Sequence, residues 1–289
     1  MTSMVEQSVQ CQAPAKINMT LAVLGRRADG FHDIESWVVP IRLYDRLTIT
    51  PSDRLSLTVH PDDAGVPADR SNLAWRAAEA IAEESGREPE VKIRLEKSIR
   101  AAAGLGGGSS DAAAVLRCLN ELWGLGWPNH RLAKLAGRLG SDVPFFIEGR
   151  QAVIRGRGER VEPVESGWRG WVVLVIPPFG MSTRQVYENC SVGATSSPRV
   201  AFGPWAQAGS RTCAEGLFND LEPAAMESEP RLADLWNTLR TLDGGPVRMS
   251  GSGSTLFTIH DSESAAAAWR DLAAGRIGTV AELKIVQTL

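Results

Sequence analysis

Three short runs in the first hundred residues alternate apolar and polar side chains. Ile17, Met19, Leu21 and Val23 are apolar, with Asn18 and Thr20 between the first of them. Leu55, Leu57 and Val59 alternate with Arg54, Ser56, Thr58 and His60, and Val91, Ile93 and Leu95 with Glu90, Lys92, Arg94 and Glu96. A period of two with polar residues on one side predicts strands of a sheet buried on one face and wet on the other. Between the last two runs, Leu73, Ala77, Ala80 and Ile81 make a helical stripe with Ser71 as the expected N-cap. From Ser109 the period turns helical through Ala112, Val115, Leu116, Leu119 and Leu122. A second helix follows on Leu132, Leu135, Ala136 and Leu139, ended by Gly140. Gln151–Val164 reads as a hairpin around Gly156-Arg157-Gly158, which places a domain boundary between 164 and 165: residues 1–164 and 165–289.

The second half has another rhythm. Trp171–Ile176 is an unbroken apolar run stopped by Pro177-Pro178, the mark of a buried strand. A helix is expected from about Thr183 and another over Arg231–Leu242, with Leu232, Leu235, Trp236, Leu239 and Leu242 on one face and Gly244-Gly245 beyond it. Strands Val247–Met249 and Thr255–His260 are joined by Gly251-Ser252-Gly253; a helix over Glu263–Ala274 and a strand over Glu282–Val286 follow. The order β-α-β-β-α-β is that of the ferredoxin-like fold, so the class is α+β. Gly193–Gly209, rich in Ser, Pro, Gly and Ala, is expected to be a surface loop.

Composition narrows the function. Of 289 residues, 43% are hydrophobic and 22% charged, ordinary for a globular chain. The net charge of −3 speaks against a coat for nucleic acid. The run Trp171–Ile176 is far short of the ~20 apolar residues of a membrane span. The first residues lack the basic start and apolar block of a secretory signal. Cys11, Cys118, Cys190 and Cys213 form no close pair along the chain, so neither a disulfide framework nor a zinc knuckle is expected. The expectation is a soluble cytoplasmic enzyme of the α/β or α+β class with reduced thiols, without a nucleic-acid or membrane partner.

The densest chemical signal is Ala102-Ala103-Gly104-Leu105-Gly106-Gly107-Gly108-Ser109-Ser110-Asp111, after a strand and directly before a helix. Glycines let backbone N–H groups approach a ligand, and the helix start adds free donors and partial positive charge: an anion site suited to phosphate. No Lys follows the glycines as in a P-loop, and Ser109 stands where G-x-G-x-x-G requires its third glycine. A second loop, Met249-Ser250-Gly251-Ser252-Gly253-Ser254, reads alone as a hairpin turn or as a second wall of a site. Lys16 heads a strand, where a solvated charge is ordinary; Asp142 can be read as a helix N-cap. Asp29-Gly30-Phe31-His32-Asp33 reads as a turn.

Together these segments resemble the signature motifs of the GHMP kinases. The matching words are Ala13-Pro14-Ala15-Lys16-Ile17-Asn18, Arg26-Arg27-Ala28-Asp29-Gly30-Phe31-His32, Gly104 to Ala114, and Gly140-Ser141-Asp142-Val143-Pro144-Phe145-Phe146. Asn219-Asp220-Leu221-Glu222 and Met249-Ser250-Gly251-Ser252-Gly253 complete them, in the family's order and across almost the whole chain. The triple glycine and Asp-Gly-Phe-His point to the branch acting on a methylerythritol that carries a cytidine diphosphate.

The resemblance implies an N-terminal domain like ribosomal protein S5, a ferredoxin-like C-terminal domain, and phosphoryl transfer from ATP to an alcohol, with Mg²⁺ expected and no side-chain ligand for it assigned. It implies that Arg100, Ala101, Ala102, Ala103, Gly104, Leu105, Gly106, Gly107, Gly108, Ser109 and Ser110 wrap the triphosphate. Asp142 matches the base that takes the hydroxyl proton and Lys16 the lysine beside it. Asn18, Phe31, His32 and Tyr187 fall where the family holds the cytidine diphosphate end, and Gly251, Ser252 and Gly253 would close the site. Two positions depart from the pattern: Phe31 stands where Tyr is usual, and Arg100 follows Ile99 where Pro is usual. Another GHMP kinase on a different small alcohol, or a silent nucleotide-binding relative, are the alternatives; the presence of both Lys16 and Asp142 speaks against the second.

Overall fold

The computed structural model describes residues 8–61, 65–165, 167–191 and 209–289. The expected surface loop Gly193–Gly209 lies, apart from Gly209, outside the described residues. In chain order the elements are β1 (Val9–Asn18), β2 (Thr20–Arg26), β3 (His32–Pro51), β4 (Ser56–His60), α1 (Leu73–Ser85), β5 (Val91–Glu96), α2 (Gly107–Leu122), α3 (Asn129–Leu139) and α4 (Val143–Glu148). They continue with β6 (Ala152–Gly156), β7 (Arg160–Pro163), β8 (Trp171–Ile176), α5 (Thr183–Glu188), α6 (Ser210–Glu215), β9 (Phe218–Asn219) and α7 (Glu222–Ser228). The last are α8 (Pro230–Leu239), β10 (Arg248–Met249), β11 (Leu256–His260), α9 (Glu263–Ile277) and β12 (Glu282–Gln287). Two compact units emerge: Met1–Ala15, Leu43–Ala101 and Gly106–Gly149 form the first, and Lys16–Arg42, Ala102–Leu105 and Arg150–Leu289 the second.

In the first unit the end of β3 pairs antiparallel with β5, Arg46 opposite Glu96 through Pro51 opposite Val91, and β4 runs parallel to β5. β5 alternates as its sequence requires, with Val91, Ile93 and Leu95 buried and Lys92 and Arg94 exposed. Helix α1 packs on α2. Its cap is Asn72 rather than Ser71: the Asn72 carboxamide oxygen accepts from Ala74 N at 2.8 Å, while the Ser71 hydroxyl is engaged by Asp69 at 2.6 Å. Helix α2 begins at Gly107, two residues ahead of the expected Ser109, because Gly106 turns into it with φ of 73°. The spacing argument on cysteine meets a spatial exception here. Cys11 on β1 and Cys118 on α2 are neighbours: hydrogen bonding to Cys118, and then the charge of Arg117, hold the Cys11 thiol below its ordinary range against burial, whereas hydrogen bonding to Cys11 and burial push the Cys118 thiol up against the pull of Arg117. All four cysteines are free.

In the second unit β2 pairs antiparallel with the start of β3, with a bulge between Val23 and Gly25. The same stretch of β3 pairs with β6, β6 with β7, and β2 runs parallel to β9. A separate antiparallel sheet has the order β10-β11-β8-β12, the ferredoxin-like arrangement expected. Leu174 of the unbroken run lies opposite both Phe257 and Lys284. Val173 and Val175 bury against Leu232, Leu235 and Leu239 of α8 and Ala266, Trp269 and Ala273 of α9. Helix α8 stops at Leu239 instead of Leu242, since the chain tightens into a turn in which Leu242 N bonds Leu239 O at 3.0 Å. Among the described residues no helix is long and apolar enough to cross a membrane.

Candidate active site

The first glycine loop is divided between the units, and each part has its own task. In the first unit Arg100 and Ala101 are exposed, and Gly106 to Ser110 form the opening of α2. Gly106 is the N-cap residue, in the left-handed region, and no side chain caps the helix. Its first N–H groups therefore lack side-chain acceptors and carry the positive end of the helix dipole. Gly108 is exposed and Ser109 half-buried, whereas the Ser110 hydroxyl is buried and has no hydrogen-bond partner. A Cβ at Gly107 would stand 2.9 Å from Ile99 Cγ2 and 3.2 Å from Lys97 Nζ, so only glycine fits there.

Asp142 lies in the same unit, at the N-cap position of α4. Its backbone is helical and its side chain makes no capping hydrogen bond, so the cap reading does not account for this carboxylate. A Cβ at Gly140, two residues earlier, would lie 4.0 Å from the Ser109 hydroxyl; the Asp142 segment thus runs beside the opening of α2.

In the second unit the remainder of the loop, Ala102–Leu105, is fastened through its carbonyls. Met181 N bonds Ala102 O at 3.0 Å, Thr255 N bonds Ala103 O at 3.1 Å, and Lys16 N bonds Leu105 O at 3.0 Å. The Ser250 hydroxyl donates to Gly104 O at 2.9 Å and accepts from Asn18 N at 3.3 Å. A Cβ on Gly104 would run into the Ser250 carbonyl. Lys16 and Asn18 sit on alternate positions of β1 and meet directly, Lys16 Nζ donating to Asn18 Oδ1 at 2.5 Å; Asn18 Nδ2 donates to Ser36 Oγ at 2.8 Å. Gly251, at φ of 57°, presses on this pair: a Cβ there would be 3.3 Å from both Lys16 Nζ and Asn18 Oδ1. The second glycine loop is thus brought against Lys16, Asn18 and Ala102–Leu105, and Ser252 Oγ meets Thr183 Oγ1 at 2.9 Å.

The Asp-Gly turn between β2 and β3 presents the aromatic residues. Asp29 accepts from Phe31 N at 3.1 Å and from Arg27, whose guanidinium holds the Asp29 carboxyl below its usual range. Phe31 is 49% exposed under the guanidinium of Arg157, 5.2 Å from the ring centre. His32 stacks on Tyr187 of α5 at 5.2 Å and an interplanar angle of 29°. Burial, and then the charge of Arg26, lower the His32 pKa, which favours the neutral imidazole.

Sequence reasoning assigned no role to Asn219, although it stands within one of the matching motifs. Its carboxamide donates to Met249 O and Gly251 O, each at 2.8 Å, and accepts from Leu221 N at 2.9 Å. Glu222 adds a bond from Met249 N at 3.0 Å. This motif holds the second loop.

Comparison with known proteins bears on both units. Residues 72–150 match the GHMP kinases N terminal domain and residues 202–276 the GHMP kinases C terminal domain. The chain is 40% identical over 260 residues to a curated protein of Citrifermentans bemidjiense, covering 90% of this chain and 92% of the relative. The chain belongs to the GHMP kinase family. That relative is named 4-diphosphocytidyl-2-C-methyl-D-erythritol kinase, as is one from Pelotomaculum thermopropionicum, 42% identical and covering 88% of this GHMP kinase and 90% of the relative. A solved 4-(cytidine 5'-diphospho)-2C-methyl-D-erythritol kinase is 34% identical, with a TM-score of 0.77 over 97% of this chain and 99% of that one. The two-domain fold implied by the sequence motifs is the fold of this family.

Proposed function

We propose that this GHMP kinase transfers the γ-phosphoryl group of ATP to the 2-hydroxyl of 4-diphosphocytidyl-2-C-methyl-D-erythritol, in the synthesis of isoprenoid precursors. The observation that carries the reading is 40% identity to kinases of that name over nine-tenths of the chain. Phosphoryl transfer asks for positioning and charge neutralisation more than covalent chemistry. The opening of α2 supplies the backbone donors and dipole for the triphosphate. Asp142, which matches the family's base, takes the proton of the attacking hydroxyl. Lys16, the lysine that the family motif supplies, offsets charge on the phosphoryl oxygens. His32, Tyr187 and Phe31 offer flat surfaces for the cytosine.

Among the described residues no cluster of three His, Cys, Asp or Glu could hold a metal, and the buried, unpartnered Ser110 hydroxyl is an oxygen donor that fits a hard cation. Mg²⁺ bound with the nucleotide would neutralise phosphate charge there. The matches at 72–150 and 202–276 fall on either side of the expected 164/165 boundary, whereas the compact units place Lys16–Arg42, Ala102–Leu105 and everything from Arg150 onward together. The reading implies cytoplasmic small-molecule chemistry, without nucleic acid or membrane.

The test is ADP release with two acceptors. A site that hydrogen-bonds a base rejects analogues lacking it, so the methylerythritol compound without its cytidyl group should be used at least ~10²-fold less efficiently in kcat/KM. Equal efficiency would show that the nucleotide head is not recognised.

A further inference from the structure

Three charged side chains meet in the first unit where water scarcely reaches. Asp45 on β3, Lys97 just beyond β5 and Asp111 on the opening of α2 have side-chain exposures of 0%, 5% and 2%. Lys97 Nζ is paired with Asp45 Oδ2 and, at 2.7 Å, with Asp111 Oδ2. The other Asp45 oxygen accepts from Ser98 N at 2.6 Å and Ile99 N at 2.9 Å, the two residues leading into the glycine loop. Gly107 seats directly on Lys97 and Ile99. Asp111 Oδ1 is buried without a hydrogen-bond partner.

Such a cluster is poor value as a source of stability, because desolvating the charges offsets most of their attraction. What it does supply is geometry. One carboxylate grips the backbone at the head of the loop, one lies on the helix that the loop opens, and a single ammonium joins them. We propose that Asp45, Lys97 and Asp111 are positioning residues for the nucleotide phosphates, a buried brace that sets the head of the loop against the first turns of α2. The proposal rests on reading Gly104–Ser110 as the nucleotide loop.

Burial first, and then the negative charge of Asp45, push the Asp111 carboxyl up to about 7 against the pull of Lys97. Burial opposes the Lys97 cation, but the two carboxylates outweigh it and keep its pKa raised, so the ammonium that joins them stays charged.

The experiment measures ATP affinity by thermal shift and calorimetry, and KM for both substrates, in the wild type, Lys97→Met, Asp111→Asn and Gly106→Val. Lys97→Met should weaken ATP at least tenfold while acceptor KM stays within twofold, a split that a general loss of stability would not produce. Asp111→Asn keeps the shape and an acceptor for Lys97. Its ATP affinity should therefore stay closer to wild type than that of Lys97→Met. A folded Lys97→Met protein that binds ATP within twofold of wild type, while Gly106→Val loses ATP, overturns the brace and leaves the nucleotide loop standing. If Lys97→Met does not fold, Lys97→Gln is measured in its place, and a folded Lys97→Gln protein that binds ATP within twofold of wild type overturns the brace. A wild type that gives no ATP shift overturns the nucleotide-loop reading, and the brace with it.

Discussion

Gly104–Ser110 and Met249–Ser254 are both built from glycine and serine, yet the first leads into a helix and the second joins two strands. The helix opening at Gly106–Ser110 is uncapped by any side chain and keeps a buried hydroxyl unpartnered. In the second loop the polar groups are engaged. Asn219 holds the carbonyls of Met249 and Gly251, Ser250 bonds Gly104 O, and Gly253 N bonds Ser250 O at 3.0 Å. Glycine at the helix opening therefore exposes donors, whereas Gly251 in the second loop, like Gly104 that faces it, permits close approach: a Cβ on Gly251 would crowd Lys16 and Asn18, and one on Gly104 would meet the Ser250 carbonyl. Composition does not separate a ligand cradle from a brace; the balance of satisfied and unsatisfied hydrogen bonds does.

The largest expected effect lies in the chemistry beside the first loop. Asp142→Asn keeps shape and removes the proposed base, so kcat should fall by roughly 10²–10⁴ with ATP binding and thermal midpoint nearly unchanged. Lys16→Ala should also lower kcat. On the proposed mechanism both act at one transition state, so the double variant should lose much less than the product of the single losses. Near wild-type turnover in folded Asp142→Asn would remove the base from the mechanism.

Next in size is Gly106→Val. At φ of 73° a β-branched residue is strained by about 1–2 kcal/mol, and its methyl groups obstruct the backbone donors of α2. The thermal shift given by ATP should fall at least tenfold in apparent affinity. An unaltered nucleotide response in a folded variant would place the phosphates elsewhere and erase the distinction between the loops.

Much of this organisation is legible in the sequence because burial imposes a period. β4 and β5 have one wet face and alternate; α8 carries one stripe; the C-terminal order of elements is enough to name its sheet. β3 escaped because Trp37 to Ile41 is buried on both faces, so no alternation marks it. Lys97 escaped for the opposite reason. It follows Lys92, Arg94 and Glu96 and looks like one more solvated charge, while the carboxylates that bury it lie on β3 and α2. Cys11 and Cys118 meet only through the packing of β1 against α2. The glycine words and Lys16, Asn18 and Asp142 could be read as candidates, but the engaged state of the second loop could not, since it depends on which carbonyls Asn219 reaches.

Asn219 offers the finest test of the comparison. Asn219→Ala takes one partner each from Met249 O, Gly251 O and Leu221 N in a buried setting. An unsatisfied buried group costs about 1–3 kcal/mol, and partial rescue by water lowers the total, so a loss near 2–4 kcal/mol in urea unfolding is expected. Asn219→Asp retains the acceptor for Leu221 N and removes both donors, so it should show most of the same loss. Neither change touches the donors at the opening of α2. The ATP-induced thermal shift should therefore persist in both variants, measured from their own lower midpoints. If the shift vanished along with the stability, the second loop would be contributing donors to the nucleotide itself, and the division into cradle and brace would give way to a single site with two walls.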